Sequence, residues 1–543
     1  MFFYVFIECV VIILERKFIS LTLLNIIVGF TTLFIIASMF AIYAYGCFVR
    51  SARGACSYAL SVEKSETKID RIVNRLAKET NGVGIDKDAL SLIVSNLDAF
   101  CVRAIGAAQA GRSLDLMYYI WDDDLTGRLL LSEVVEAADR GVRVRLLLDD
   151  INAQGRDPAY IALNKHPHIE VRVFNPGRAR KGGLRRGLEI ILRAIMVTRR
   201  MHNKAFVVDG RVAFVGGRNL ADSYLGASKK SSFRDLDLML IGPSVKKVET
   251  IFDNFWNSPV VLPIHTLVVP NRVRDLDIWR AKLRRFRNSK IAKIYLNYVN
   301  EHINFEYFFQ TGKRLFVADK VDVLSDPPEK ALRKHTANWL MEALSQVING
   351  AKKTIQITSP YFVPGKAGTQ SFRKLVSKGI DVKILTNSLA ATDVAIVHGG
   401  YAPYRKMLLK SGVQLYELKP DGGTHRLRLF RSNKASLHTK AFLIDCKTAF
   451  IGSLNFDPRS VSLNTEMGIL FECAPIAARL DLLFSEEITG EMSYCLRLGD
   501  NNRIYWDFIE NEKKRSVDYE PKSNLKRRAF AKIMSWLPIE SQL

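Results

Sequence analysis

Met201-His-Asn-Lys-Ala-Phe-Val-Val-Asp209 returns in the second half of the chain as Leu437-His-Thr-Lys-Ala-Phe-Leu-Ile-Asp445. The agreement continues at the same offset, with Gly216 matching Gly452 and Asn219 matching Asn455. Self-similarity at a fixed offset marks an internal duplication, and it organises what lies upstream. Each copy is preceded by a predicted strand (Leu114 to Trp121, then Thr354 to Phe362). A helical stretch follows, and then a second strand after a glycine (Val142 to Asp149, then Ile380 to Leu385). Apolar strands alternating with helices predict an α/β unit with mostly buried strands. The expected fold is α/β, with tandem units at 96–265 and 331–500 packed about a pseudo-twofold axis.

Within each copy His and Lys stand two apart, which on an extended strand puts both side chains on one face. His202 and Lys204 with Asn219, and His438 and Lys440 with Asn455, form a set suited to phosphate. An imidazole attacks phosphorus or hands on a proton near neutral pH, while Lys and Asn donate to the oxygens whose charge must be stabilised. Two such half-sites brought together predict one His as nucleophile, forming a phosphohistidine. The other is the acid for the departing alcohol, then the base for the incoming hydroxyl. A nucleophilic imidazole must be held in one tautomer by an acceptor on its other nitrogen. Asp235 in Phe233-Arg-Asp-Leu-Asp237 and Glu466 in Asn464-Thr-Glu-Met-Gly468 follow the two motifs at the start of matching strands and are the expected orienting groups. Asp209 and Asp445, at the tight turn ending each motif strand, read as turn or salt-bridge residues. No carboxylate or His cluster has metal-ligand spacing, so neither metal nor cofactor is expected. His398, in Val397-His-Gly-Gly-Tyr401, follows Thr386-Asn-Ser388, which leaves its nearness to the site open. His166, His168, His265, His302, His335 and His425 lack any such context.

His202, Lys204, Asp209 and His438, Lys440, Asp445 resemble the HxKxxxxD pattern of the phospholipase D superfamily. The stretches Tyr118-Tyr-Ile-Trp-Asp-Asp-Asp-Leu-Thr-Gly127, Ser359-Pro-Tyr-Phe-Val-Pro364, His398-Gly-Gly-Tyr-Ala-Pro-Tyr404, Asn455-Phe-Asp-Pro-Arg-Ser460 and Asn464-Thr-Glu466 are similar to its bacterial cardiolipin synthase branch, C type. The resemblance covers about residues 90 to 540. It implies a catalytic set that includes both aspartates, with His202 as nucleophile and His438 as acid and base. It also implies a phosphatidyl-enzyme intermediate resolved by a lipid alcohol, with phosphatidylglycerol or phosphatidylethanolamine as donor and phosphatidylglycerol as acceptor, giving cardiolipin. Water attacks the same intermediate, so phospholipase D hydrolysis is the alternative. The superfamily also contains nucleases, but an intact double motif beside a membrane segment points away from nucleic acid and from a noncatalytic binder.

Lys plus Arg number 79 against 55 Asp plus Glu, a formal charge of +24, so the chain should seek polyanions such as an anionic membrane surface. From Phe18 to Val49 no charged residue occurs, enough for a helix to cross a hydrocarbon core of roughly 30 Å. The expected order is an N-terminal segment (1–17) and a transmembrane anchor (18–49). A linker (50–95), the first unit, a basic linker (266–330), the second unit and a basic C-terminal tail (501–543) follow. Whether Met1 to Leu14 also inserts is open. Arg16 and Lys17 before the anchor against Arg50, Arg53, Lys64 and Lys68 after it place the bulk in the cytoplasm of a bacterial cell, at its inner membrane. A lipoprotein signal ending at Gly46-Cys47 is the rival, with Ala44 and Tyr45 fitting such a cleavage site poorly. Arg178 to Arg200 reads as a basic amphipathic helix, with Leu184, Leu188, Ile191 and Ile195 at helical spacing. Near the C-terminus Lys526, Arg527 and Arg528 lead into Phe530, Ile533, Met534, Trp536 and Leu537, a helix that either meets the membrane or caps the core. The seven cysteines are scattered and form no CxxC pair, which argues against a disulfide framework. The need for an accessory protein is not legible.

Overall fold

The computed structural model describes residues 21–62, 67–180, 182–228, 232–268, 276–302, 308–310, 312–332, 339–420, 435–537 and 540–542. The readings placed on Met1 to Lys17, on the start of the anchor, and on Lys64, His335 and His425 lie outside the described residues. The uncharged run forms the helix Leu21–Ser51. Its part Asn25–Ser51 is long and apolar enough to cross a bilayer, and its most apolar window is not buried by protein. The end of this helix docks on the first unit, where Val49 is buried and the Tyr45 hydroxyl donates to Pro176 O at 2.6 Å.

The strands of the first sheet are β1 (Ala89–Ile93), β2 (Ser113–Tyr118), β3 (Arg143–Asp149), β4 (Ile169–Phe174), β5 (Ala205–Val208), β6 (Val212–Gly216), β8 (Asp237–Ile241), β9 (Val261–Pro263) and β10 (Phe316–Val317). They lie in the order β10-β1-β8-β6-β5-β2-β3-β4-β9. The second sheet uses β11 (Lys320–Ser325), β12 (Thr354–Thr358), β13 (Asp381–Asn387), β14 (Gln414–Leu418), β16 (Ala441–Ile444), β17 (Thr448–Gly452), β18 (Met467–Glu472), β19 (Ser493–Leu498), β20 (Ile504–Glu510) and β21 (Lys513–Val517). Its order is β11-β18-β17-β16-β12-β13-β14-β19-β20-β21. The strands β7 (Ser232–Arg234) and β15 (Ala435–Leu437), one from each half, pair in parallel as a third, small sheet. From β1 to β9 and from β11 to β19 the two orders correspond strand for strand. The parallel trio β2-β3-β4 matches β12-β13-β14, and β5 and β16 run antiparallel beside them. Each parallel crossover returns through a helix, as such strands require. The glycines before β3 and β13, Gly141 and Gly379, have φ of 93° and 84°, the left-handed turn that stops a helix.

Three expected boundaries shift. The stretch 50–95 is no linker, because β1 pairs along β8 and the helix Lys68–Glu79 buries Ile69, Val73 and Leu76. The basic linker 266–330 contributes β10 to one sheet and β11 to the other, and the C-terminal tail supplies β20 and β21. Beyond those strands, the basic linker holds the helix Leu276–Arg287, which packs Trp279 and Leu283 inward. Its Arg280 and Arg287 pair with Asp139 and Glu133, so these cations answer the protein's own carboxylates.

The sheets face each other through one apolar layer that mixes the halves, with Ala205, Val207, Ala213 and Val215 against Ala441, Leu443, Ile451 and Ile469. Outer layers of helices close the other faces. Strands covered on both sides read as continuous apolar runs, and polar residues inside them must find partners. Asp115 in β2 does so through the Arg145 guanidinium of β3, at 2.6 and 2.8 Å.

Candidate active site

The motif histidines lie where the two halves meet, each just before the antiparallel strand that follows its copy's parallel trio, β5 or β16. The His202 N–H donates to Thr465 O (2.9 Å) and the His438 N–H to Arg234 O (2.7 Å). Thr465 and Arg234 are the residues immediately before Glu466 and Asp235. These paired bridges carry each carboxylate across the axis: Glu466 Oε2 lies 2.8 Å from His202 Nδ1, and Asp235 Oδ2 lies 2.6 Å from His438 Nδ1. The sequence order suggests that a carboxylate serves the histidine of its own copy; the structure pairs it with the histidine of the other. Lys204 and Lys440 point the same way as their histidines and donate to the carbonyls of His202 and His438.

The half-sites differ in their bonding. His202 Nδ1 faces two acceptors, Glu466 Oε2 at 2.8 Å and Ser453 O at 3.1 Å, so the proton belongs on Nδ1 and the Nε2 lone pair is free. His438 Nδ1 faces Asp235 but also the Lys440 ammonium at 2.8 Å, and its Nε2 lies 3.3 Å from the Tyr224 hydroxyl. The carboxylates differ too. Burial would raise Glu466, but His202, Lys204 and the Ser453 hydroxyl, which donates at 2.5 Å, bring it below its ordinary value. Burial pushes Asp235 up to about 7 against the pull of Lys440. Burial holds His202 down to about 4, opposed by Glu466, and holds His438 well below its ordinary value. It also lowers Lys204 to about 7 and Lys440 to about 8. All six groups are buried, so an entering phosphodiester meets fixed charges with little water between, where electrostatic effects are large.

Asn219 and Asn455 are both buried. Asn219 Oδ1 accepts from the Ile120 N–H at 3.2 Å, and its side chain bonds the Tyr224 hydroxyl. Asn455 donates to Ser460 Oγ at 3.4 Å, with Oδ1 buried and unpartnered. Asp209 and Asp445, grouped with the catalytic residues on the strength of the motif, stand at the other end of β5 and β16. There, at φ of 54° and 52°, Asp209 accepts the N–H groups of Gly111, Arg112 and Ser113, and Asp445 those of Lys352, Lys353 and Thr354. They tie the motif strand to the start of β2 and β12. This is the turn role read from the sequence, with backbone N–H donors in place of a salt bridge, and it puts both outside direct chemistry.

Four further residues complete the site and escaped the sequence reading. Tyr119 lies edge-on to His202 at 5.0 Å, while Tyr224 and Phe233 flank His438 at 4.9 and 5.0 Å. Ser453 is the fourth. Their signal was available, since Ser453 directly follows the repeated glycine and Tyr119 lies within the first predicted strand. Aromatic residues, however, read equally well as core. His398 contacts neither motif histidine among the described residues. Its Nε2 accepts from Arg405 at 2.6 Å and lies 3.3 Å from Glu520. His398, Glu417 and Glu520 converge like metal ligands, but the Arg405 guanidinium already stands among them, 2.7 Å from Glu417 and 2.6 Å from Glu520.

Comparison with known proteins adds the following. The sequence pattern of the family described as "Cardiolipin synthase, PLD-like domain" matches residues 102–256 and 344–488. The chain is 41% identical over 458 residues to the Escherichia coli (strain K12) protein named Cardiolipin synthase C, covering 82% of this chain and 94% of that protein. It is 27% identical over 387 residues to a Staphylococcus aureus (strain Mu50) cardiolipin synthase, covering 69% of this chain and 63% of the relative. Among solved structures, phosphatidylserine synthase of Haemophilus influenzae Rd KW20 superposes with a TM-score of 0.53 at 13% identity, over 87% of this chain and all of the other, a likeness of fold.

Proposed function

The chain belongs to the cardiolipin synthase family of PLD-like proteins, and from that premise we propose that it makes cardiolipin at the membrane that its N-terminal helix enters. The donor is phosphatidylglycerol or phosphatidylethanolamine and the acceptor phosphatidylglycerol. The single observation that carries the assignment of roles is the pair of acceptors on His202 Nδ1, which leaves Nε2 as the nucleophile. His202 Nε2 attacks phosphorus, the bond from phosphorus to the headgroup oxygen breaks, and that oxygen takes a proton from His438. The anionic phosphodiester raises the affinity of His438 for that proton as it enters. Lys204, Lys440, Asn219 and Asn455 bind the phosphoryl oxygens. A phosphatidyl group now sits on His202. His438 then removes the proton from the primary hydroxyl of phosphatidylglycerol, the new oxygen–phosphorus bond forms, and the bond to His202 breaks. The excess of Arg50, Arg53, Lys64 and Lys68 after the anchor over Arg16 and Lys17 before it supports a cytoplasmic site at the bacterial inner membrane.

The test uses purified, detergent-solubilised protein with phosphatidylglycerol, with and without phosphatidylethanolamine and with chelator present, the lipid products being resolved. Cardiolipin is expected, and its disappearance in His202→Ala; phosphatidic acid alone would make the protein a hydrolase. A donor whose leaving group is p-nitrophenol separates the histidines. That group departs without a proton, so His438→Ala should still release it in a single turnover and His202→Ala should not.

A further inference from the structure

Two short amphipathic helices, one from each half, turn apolar side chains away from the protein. In the first half, the helix Leu184–Leu192 exposes Leu184, Leu188, Ile190 and Ile191, with Leu184 at 91%. It leans on the anchor, because the guanidinium groups of Arg178 and Arg193 lie over the rings of Phe48 and Tyr45 at 5.0 and 3.2 Å. That contact sets it where the anchor leaves the bilayer. In the second half, the helix Leu525–Met534 buries Ala531, passes close to Gly399, and gives its Arg527 to Thr392 O. Its outward side carries Leu525, Phe530 and Ile533, followed by Trp536 at 72% exposure, with the exposed cations Lys526 and Lys532 among them. Arg459 joins the two ends: it donates to Thr198 O at 2.9 Å, four residues before His202, and to Gln542 O at 3.3 Å, just beyond the C-terminal helix. The segments that follow the two helices thus meet at Arg459, beside the approach to His202.

We infer that the helix Leu525–Met534 with Trp536 is a second foot on the bilayer entered by the anchor, and that the site opens onto an anionic lipid surface between the two feet. The occupant follows from the pattern. Apolar side chains with an interfacial Trp and flanking cations insert at a headgroup boundary, and the first foot is continuous with the anchor. Long-chain phospholipids then reach the histidines laterally without leaving the bilayer. This deepens the proposed function, and rests on it for the identity of the lipid.

Full-length protein carrying Phe530→Glu, Ile533→Glu and Trp536→Glu together is compared with the unsubstituted chain on two donors, long-chain phosphatidylglycerol in vesicles and dissolved short-chain phosphatidylglycerol. Turnover of vesicles should fall about tenfold or more while turnover of dissolved lipid is kept. Equal loss on both, or none on vesicles, overturns the inference. A second measurement is independent of activity. In a chain with Cys56 and Cys446 replaced by serine, a fluorophore on Ile533→Cys in bilayers containing phosphatidylglycerol should be quenched by lipids brominated in their acyl chains and shielded from iodide. Quenching by iodide means an open surface, and quenching by neither means a protein partner or a second copy; either result overturns the foot. If both chains fail on both donors while the fluorophore is quenched by lipid, the enzyme assignment falls and the foot stands.

Discussion

Ser453 and Gly217 occupy the same place in the two copies, directly after the repeated glycine, and they set the half-sites apart. The Ser453 hydroxyl donates to Glu466, while a Cβ on Gly217 would stand 2.3 Å from Asp235 Oδ1, so no hydroxyl reaches that carboxylate. Ser453→Gly is expected to let the Glu466 carboxyl rise, weaken its hold on the His202 N–H and lower kcat about tenfold, the usual scale for a group supporting a catalytic ligand. Thermal melting should fall as well, because the buried Met467 N–H loses the Ser453 hydroxyl that accepts from it at 3.0 Å, but the protein should still fold. The lysines predict the pH profile. Lys204 and Lys440, lowered by burial to about 7 and 8, must be protonated to meet phosphate, so kcat/KM should fall as pH rises through 7 to 8. Lys204→Arg, which stays charged, is slower but should carry the onset of that basic limb upward, to the value of about 8 that Lys440 then sets. Asp209 behaves differently: Asp209→Ala leaves three N–H groups unmet and places alanine at positive φ, a loss of about 1–3 kcal/mol in denaturant unfolding. Asp209→Asn, which tolerates that φ, should lose less. Activity per folded molecule should survive in both.

Among the elements, β1 shows most plainly what the sequence withheld. A chain starting at residue 96, the domain start read from the repeat, would strip β8 of one of its two partners and remove the Ile93 and Val94 carbonyls that accept from the buried Arg218. It would also lose buried Leu90, Leu92 and Ile93, each worth about 1.5–3 kcal/mol, against a total stability of about 5–15 kcal/mol. Such a chain should be recovered only as aggregate, and one starting at Ser57 should be soluble; size exclusion of the two decides it. The duplication was legible because His202, Lys204 and Asp209 recur with their spacing intact, and that spacing is local. The strands β1 and β11 were not, because they stand beside β8 and β18 through long-range pairing that no local pattern announces. For the same reason Asp235 and Glu466 were recognisable as carboxylates at strand starts, while their exchange across the axis was not. That exchange depends on the bridges from His202 to Thr465 and from His438 to Arg234, which exist only once the halves have docked.

At the scale of the whole molecule, the exchange makes the two halves one enzyme. His202 depends on Glu466 and His438 on Asp235, and the apolar layer between the sheets holds all four in place. The chain changes sheets between β10, which belongs to the first, and β11, which belongs to the second. A cut between Ala318 and Asp319 therefore leaves every strand of the two large sheets in its own sheet, and among the described strands only the short pair Ser232–Arg234 with Ala435–Leu437 spans the fragments. Fragments divided there should each be inactive when made alone, since neither retains a histidine with its carboxylate. Made together, they should recover cardiolipin formation, because burial of Val207, Val215, Leu443 and Ile469 favours association roughly in proportion to area. A fragment pair in which only one partner carries His202→Ala should form none of the product, whereas a half with a self-contained site would keep part of the activity. Co-purification of the fragments with resolved lipid products measures both. Activity from either fragment alone would show that the carboxylates serve their own copies and that the crossed pairing is not the working one.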